Sequence, residues 1–231
     1  MQKGPLIILL PGTDGTGLFF ADLRAYLSKE FDVEVISYPQ TGDQSYETLG
    51  NWLLHQLPTV RDYILVAESF GGPLAIWLAA HARHKPIKLI MGATFAASPF
   101  GWAGKVALHL LPIGLIIPLR SWQINLVLFN GKYPETARLI YQTVLPIDRK
   151  TLLNRVRSVL SCDMTNLLSE ITVPTLIIHP KKDRLIPYWL PHHFPTAPNF
   201  DVIKLDLPHM VFQTAPEETL EKHLITFIHK P

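Results

Sequence analysis

Apolar runs of strand length, separated by stretches with helical spacing, constrain this chain more than any other feature. Residues 6–10, 33–37, 63–67 and 87–91 are such runs, and residues 18–29, 46–57 and 72–82 between them carry helical patterns. A strand that is apolar without polar alternation is covered on both faces, and parallel neighbours need a crossover between them. The alternation therefore predicts an α/β fold, a mostly parallel sheet with helices on both faces. In the first helical stretch Phe19, Leu23, Tyr26 and Leu27 share a face, and residues 72–82 are small and apolar, as close packing on a sheet requires.

The rhythm breaks from about residue 100 to residue 163. No strand pattern occurs there, and Pro112, Pro118, Pro134 and Pro146 punctuate short helical segments. It resumes after Pro174 with strand patterns at 175–179 and 201–205 and a closing helix over 216–229. The economical reading is one sheet domain, residues 1–98 and 166–231, with a helical cap insertion over 99–165. A length of 231 residues suits one sizeable domain and is short for two.

Composition narrows the function. Apolar residues make up 48% and charged residues 17%, which supplies a well-filled core. A formal charge of +2, with no run of Lys and Arg among aromatics, argues against nucleic-acid binding. The single cysteine, Cys162, cannot form an internal disulfide and fits a reducing compartment. The first apolar run is too short for a signal peptide, and the run over 106–119 is broken by two prolines. A soluble, cytoplasmic protein without a transmembrane segment is expected.

The strongest local signal is Val66-Ala67-Glu68-Ser69-Phe70-Gly71-Gly72, after a strand and before a helix of small residues. Lifting a serine hydroxyl clear of a strand-to-helix turn strains the backbone, so the residues two before and two after must be small. Gly71 meets this need fully and Ala67 adequately. A serine hydroxyl is a weak nucleophile and needs an adjacent base. His209, after the last strand pattern, is placed for that role. Asp183, in Lys182-Asp183-Arg184 after the strand at 175–179, is placed to orient it; Asp163 is an alternative acid, and Asp206 lies too close to His209 in sequence to suit. The adjacent His192 and His193 lack metal-ligand spacing, so no metal is expected. Neither a dinucleotide fingerprint nor a phosphate loop is present, so no cofactor is expected.

Leu10-Pro11-Gly12-Thr13-Asp14-Gly15-Thr16-Gly17, together with Glu68-Ser69-Phe70-Gly71-Gly72, resembles the α/β-hydrolase superfamily over essentially the whole chain. The likeness is to the branch of bacterial carboxylesterases, pimeloyl-acyl-carrier-protein methyl ester esterases and plant phytyl ester synthases. It implies a shortened sheet of about six strands, Ser69 as nucleophile, Asp183 as acid and His209 as base. It also implies an oxyanion hole from the amides of Thr13 and Phe70. Pro11, Ala67 and Pro208 depart from the frequent His, Gly and Gly of the pattern, and none of these removes a catalytic atom.

The expected chemistry is cleavage of a carboxylic ester or thioester through an acyl-enzyme. An acyltransferase with the same residues and a non-catalytic ligand-binding member are the alternatives. An Asp nucleophile, as in epoxide hydrolases and dehalogenases of this fold, is disfavoured by Ser69. The cap, rich in Trp102, Leu108, Leu110, Leu111, Ile113, Ile116, Ile117, Trp122, Leu126, Phe129 and Tyr141, predicts an apolar pocket. Arg138, Arg149, Lys150, Arg155 and Arg157 are read as a solvated face that would receive an acidic acyl carrier protein.

Overall fold

The first apolar run folds as strand β1, Leu6–Leu10, second from one edge of a six-stranded sheet. The structure, a computed structural model, describes residues 4–101, 106, 119–186 and 193–230. Strands β2 (Asp32–Val35), β3 (Tyr63–Glu68), β4 (Lys88–Gly92), β5 (Thr175–Pro180) and β6 (Phe200–Leu205) complete the sheet in the order β2-β1-β3-β4-β5-β6. Every neighbouring pair is parallel, so the expected mostly parallel sheet is parallel throughout.

Side chains alternate across this sheet with period two, which splits the core into two layers. Ile8, Leu10, Leu65, Leu89 and Met91 face helices α2 (Tyr46–Leu54) and α3 (Gly71–His81). Ile7, Leu9, Ile64, Val66 and Ile90 face the other side, against α1 (Ala21–Leu27) and the C-terminal helices. The strand interiors of β1 and β3 are completely buried. That is why these runs show no polar alternation in the sequence.

Three helical expectations shift. The first helix opens as a 3-10 turn, Leu18–Phe20, before α1, and this rotates Phe19 away from the core face. Phe19 packs instead on a separate cluster formed by Ile124, Phe129, Ala137, Ile140 and Met210. The second helix ends at Leu54, short of residue 57. The closing helix is a run of α, π and α turns: Glu217–Leu220, Glu221–Ile225 and Thr226–His229.

Between β4 and β5 the described residues form helices α4 (Ser121–Phe129), α5 (Pro134–Val144) and α6 (Arg149–Ser161). Pro134 starts α5 at its first turn, where a missing N–H costs nothing. Asp148 caps α6 by accepting from the Thr151 amide at 3.2 Å. The two chain ends of this insertion meet at an antiparallel bridge between Ala97 and Asp163. The Ser98 amide donates to Cys162 O at 2.8 Å, and the Met164 amide to Ala96 O at 2.7 Å. Cys162 is buried at this neck. Trp102, Leu108, Leu110, Leu111, Ile113, Ile116 and Ile117 lie outside the described residues. Among the described residues no helix is long and apolar enough to cross a membrane.

Candidate active site

Strands β1 and β3 are hydrogen-bonded neighbours with Leu10 opposite Ala67, so the loops leaving their carboxyl ends emerge side by side. Chain direction across the sheet reverses here, from β2 on one flank of β1 to β3 on the other. In open parallel sheets, ligand crevices form at such a point.

Ser69 stands at the end of β3 in the left-handed region, with φ of 53°. A side chain there costs about 1–2 kcal/mol, and the surrounding contacts hold it. The Ser69 amide donates to Gly92 O at 3.0 Å, and Ser69 O accepts from Thr94 Oγ1 at 2.6 Å and from the Gly72 amide at 3.0 Å. Gly71 is needed because a Cβ would lie 2.5 Å from Leu10 O and 2.8 Å from Pro11 O, both backbone atoms. The small-residue expectation therefore has a steric cause: the turn presses directly on the end of β1.

Two sequence-distant side chains join the serine. His209 Nε2 lies 3.1 Å from Ser69 Oγ, and His209 Nδ1 lies 2.7 Å from Asp183 Oδ2. Asp183 Oδ1 accepts from the amides of Leu185 at 2.8 Å and Ile186 at 2.7 Å, which locks the carboxylate's orientation. With Asp183 accepting a hydrogen bond from Nδ1–H, Nε2 is left as an acceptor for the serine hydroxyl. Ser69, Asp183 and His209 are 8%, 3% and 2% exposed, so this line of hydrogen bonds is shielded from water. Burial alone would lower the basicity of His209, but the charge and hydrogen bond of Asp183, helped by Glu68, raise it above the ordinary imidazole value of 6.5.

The other carboxylates considered from the sequence stay away. Asp163 accepts from the Thr165 amide and hydroxyl at the neck of the insertion. Asp206 is paired with Lys182 at the surface, at 2.5 Å. Thr13 lines the same cavity as Ser69 and His209, and Phe70 follows the serine directly. The cavity has a volume of about 290 Å³. Phe19, Ile124, Leu128, Ile140, Val144 and Val156 give it apolar walls, mostly from the insertion. Among the described residues no group of three or more His, Cys, Asp or Glu could hold a metal ion.

Two residues escaped the sequence reading. Arg155, expected on a solvated face, is completely buried. Its Nε donates to Gln44 Oε1 at 2.9 Å, and its Nη atoms donate to the carbonyls of Thr13, Asp14 and Pro39 at 3.0, 2.7 and 2.9 Å. These acceptors replace the water that a surface arginine would keep, so it is not available to an acidic partner. The signal was present in the helical spacing of Thr151, Arg155 and Ser158, one polar face of α6. Thr151 Oγ1 donates to Gln40 O and Ser158 Oγ to Gln44 O on the same loops.

Glu68 is the second. Its Oε1 accepts from the Phe212 amide at 3.1 Å and its Oε2 from Gln213 Nε2 at 2.8 Å, which ties the serine turn to the short helix Val211–Thr214 that follows His209. Burial pushes its pKa up to about 7, against the lowering effect of these hydrogen bonds and of His209. The unfolded chain would ionise this group near 4.5, so stability falls as pH rises from 4.5 to 7 and stays lower above that. Glu68→Gln removes the charge. Rotating the Gln213 amide then lets its Oε1, which has no hydrogen-bond partner in the wild type, accept the new N–H. We expect this variant to be more stable than wild type at pH 8.5 by up to about 3 kcal/mol, and equal to it near pH 4.5. Urea unfolding at both pH values measures this; a variant less stable at pH 8.5 would contradict it.

The likeness to known proteins agrees with this architecture. A model of the alpha/beta hydrolase family matches residues 7–222. The chain is 29% identical over 183 residues to the chloroplastic phytyl ester synthase 1 of Arabidopsis thaliana; the match covers 74% of this chain and 25% of that protein. The chain thus spans about a quarter of that relative's length. Among solved structures, a thermophilic esterase from Thermogutta terrifontis superposes with a TM-score of 0.79 at 18% identity, covering 100% of this chain and 92% of that one. An enol-lactonase from Burkholderia xenovorans LB400 superposes with a TM-score of 0.79 at 18% identity, covering 98% and 92%. At that identity the structural likeness speaks for the fold alone. The family match spans nearly the whole sheet and the loops that carry Ser69, Asp183 and His209, and the chain belongs to the alpha/beta hydrolase family.

Proposed function

We propose that the chain is a serine esterase or thioesterase that acts on acyl groups. The observation that carries this is the buried line from Ser69 Oγ through His209 to Asp183, at 3.1 and 2.7 Å, opening on an apolar cavity. In the proposed cycle His209 Nε2 takes the hydroxyl proton as Ser69 Oγ bonds to the acyl carbonyl carbon. The amides of Thr13 and Phe70 receive the resulting oxyanion. As the carbonyl reforms, the alcohol or thiol leaves and His209 returns the proton to it. Water, deprotonated by His209, then attacks the acyl-enzyme and releases the acid.

The acyl preference follows from the cavity walls. Each methylene buried against them is worth about 0.8 kcal/mol, close to a fourfold gain. We expect kcat/KM to rise about that much per carbon along a series of p-nitrophenyl acyl esters, then level off when the chain fills the cavity. A fluorophosphonate probe should add to Ser69, located by mass spectrometry of the digested protein, and leave Ser69→Ala unlabelled. Equal labelling of the two would end this reading.

Transfer to an alcohol is the second reading, favoured by the likeness to a synthase. It differs only in what attacks the acyl-enzyme. Adding a long-chain alcohol to the same assay separates the two: transfer yields the new ester, and hydrolysis yields only the acid.

A further inference from the structure

We infer that Arg155 is a positioning residue, the clamp by which helix α6 of the insertion holds the turn that presents the Thr13 amide to Ser69. This rests on the proposed nucleophilic role of Ser69.

Six successive carbonyls in that turn are each held by a donor. Pro11 O accepts from Tyr38 Oη at 2.9 Å, and Gly12 O from the Gly15 amide at 3.0 Å. Thr13 O and Asp14 O accept from Arg155 Nη1 at 3.0 and 2.7 Å. Gly15 O accepts from the Tyr38 amide at 2.7 Å, and Thr16 O from Ser37 Oγ at 2.6 Å. In a trans peptide the N–H points opposite to the C=O. Fixing Gly12 O therefore fixes the direction of the Thr13 N–H, and Arg155 supplies two of the bonds that keep the turn from rolling.

The fit is close on every side. The guanidinium fills the place a side chain would take at Gly15, whose φ is +67° and whose added Cβ would lie 2.5 Å from Arg155 Nη1. Nε and Nη2 reach a second loop through Gln44 Oε1 and Pro39 O. Only a planar fork spans both loops at once, and a lysine ammonium does not. The neighbours Leu152 and Val156 on the same helix line the cavity. One helix thus shapes the acyl wall and braces the turn, and the clamp acts through Thr13 without touching the substrate.

The test compares Arg155→Lys and Arg155→Ala with wild type and Ser69→Ala on the best p-nitrophenyl ester. A displaced oxyanion donor typically lowers kcat by about 10²–10³-fold, and that loss is expected here with KM within about threefold. Affinity for an acyl trifluoromethyl ketone, whose adduct with Ser69 carries the oxyanion, should fall by the same factor. Affinity for the product acid should hold, and millimolar guanidinium should restore part of the kcat of Arg155→Ala. Unchanged kinetics, a change confined to KM, or equal losses for ketone and acid would overturn the clamp. If Arg155→Ala does not fold, Gln44→Met, which removes one acceptor of the fork, decides: a kcat loss of about tenfold with KM held supports the clamp, and none refutes it. If Ser69→Ala is inactive while the Arg155 variants match wild type, only the clamp falls. If Ser69→Ala retains turnover, both readings fall.

Discussion

Ser69→Ala is expected to lower kcat by on the order of 10⁶-fold while leaving the protein folded. The serine's structural bonds run through its backbone: its amide to Gly92 O, and its carbonyl to Thr94 Oγ1 and the Gly72 amide. Alanine keeps all three and tolerates the φ of 53° no worse than serine does. What is lost is the hydroxyl 3.1 Å from His209 Nε2. Leaving that buried nitrogen without its partner should cost about 1–3 kcal/mol of stability. Stopped assays of kcat with urea unfolding of the same sample separate the two effects. Turnover within tenfold of wild type would mean that another group attacks the acyl carbon.

Asp183→Asn should lower kcat by on the order of 10⁴-fold, through the tautomer of the base. Asp183 Oδ1 is already committed to the amides of Leu185 and Ile186. An asparagine keeps its oxygen there and turns its NH₂ toward His209 Nδ1. That nitrogen must then accept, the proton moves to Nε2, and the face toward Ser69 can no longer take a proton. The pH profile gives an independent sign. In the wild type burial lowers the His209 pKa, and Asp183 and Glu68 together more than reverse this, so the acid limb of kcat/KM should lie above 6.5. Without the carboxylate charge the burial effect is left opposed only by Glu68, so the residual acid limb should move to lower pH. A limb that stays in place would mean that Asp183 does not set the charge state of the base.

Strand positions were legible because burial on both faces of a parallel sheet leaves an unbroken apolar run, as at 6–10 and 63–67. Helix ends were less so. The rotation of Phe19 by a 3-10 turn, and the stop at Leu54, depend on what each end packs against and not on the spacing within the helix. Ser69 was readable from seven contiguous residues, because its turn presses on the end of β1 and only a glycine at position 71 fits there. Asp183 could be ranked above Asp163 only by its place after a strand. The 2.7 Å contact with His209 comes from β5 and β6 lying side by side.

What the residue order determined alone was therefore local: the alternation of strands and helices, the strained serine turn, and the glycine-rich loop after β1. Each is a property of neighbours along the chain, where backbone sterics and side-chain period act directly. Tertiary structure alone decided the environment of the charges. Arg155 meets Thr13 across 142 positions, and Glu68 meets Phe212 across 144. A charged residue type states what burial would cost; whether it is buried, and which partners offset that cost, depends on elements brought over it from far along the chain.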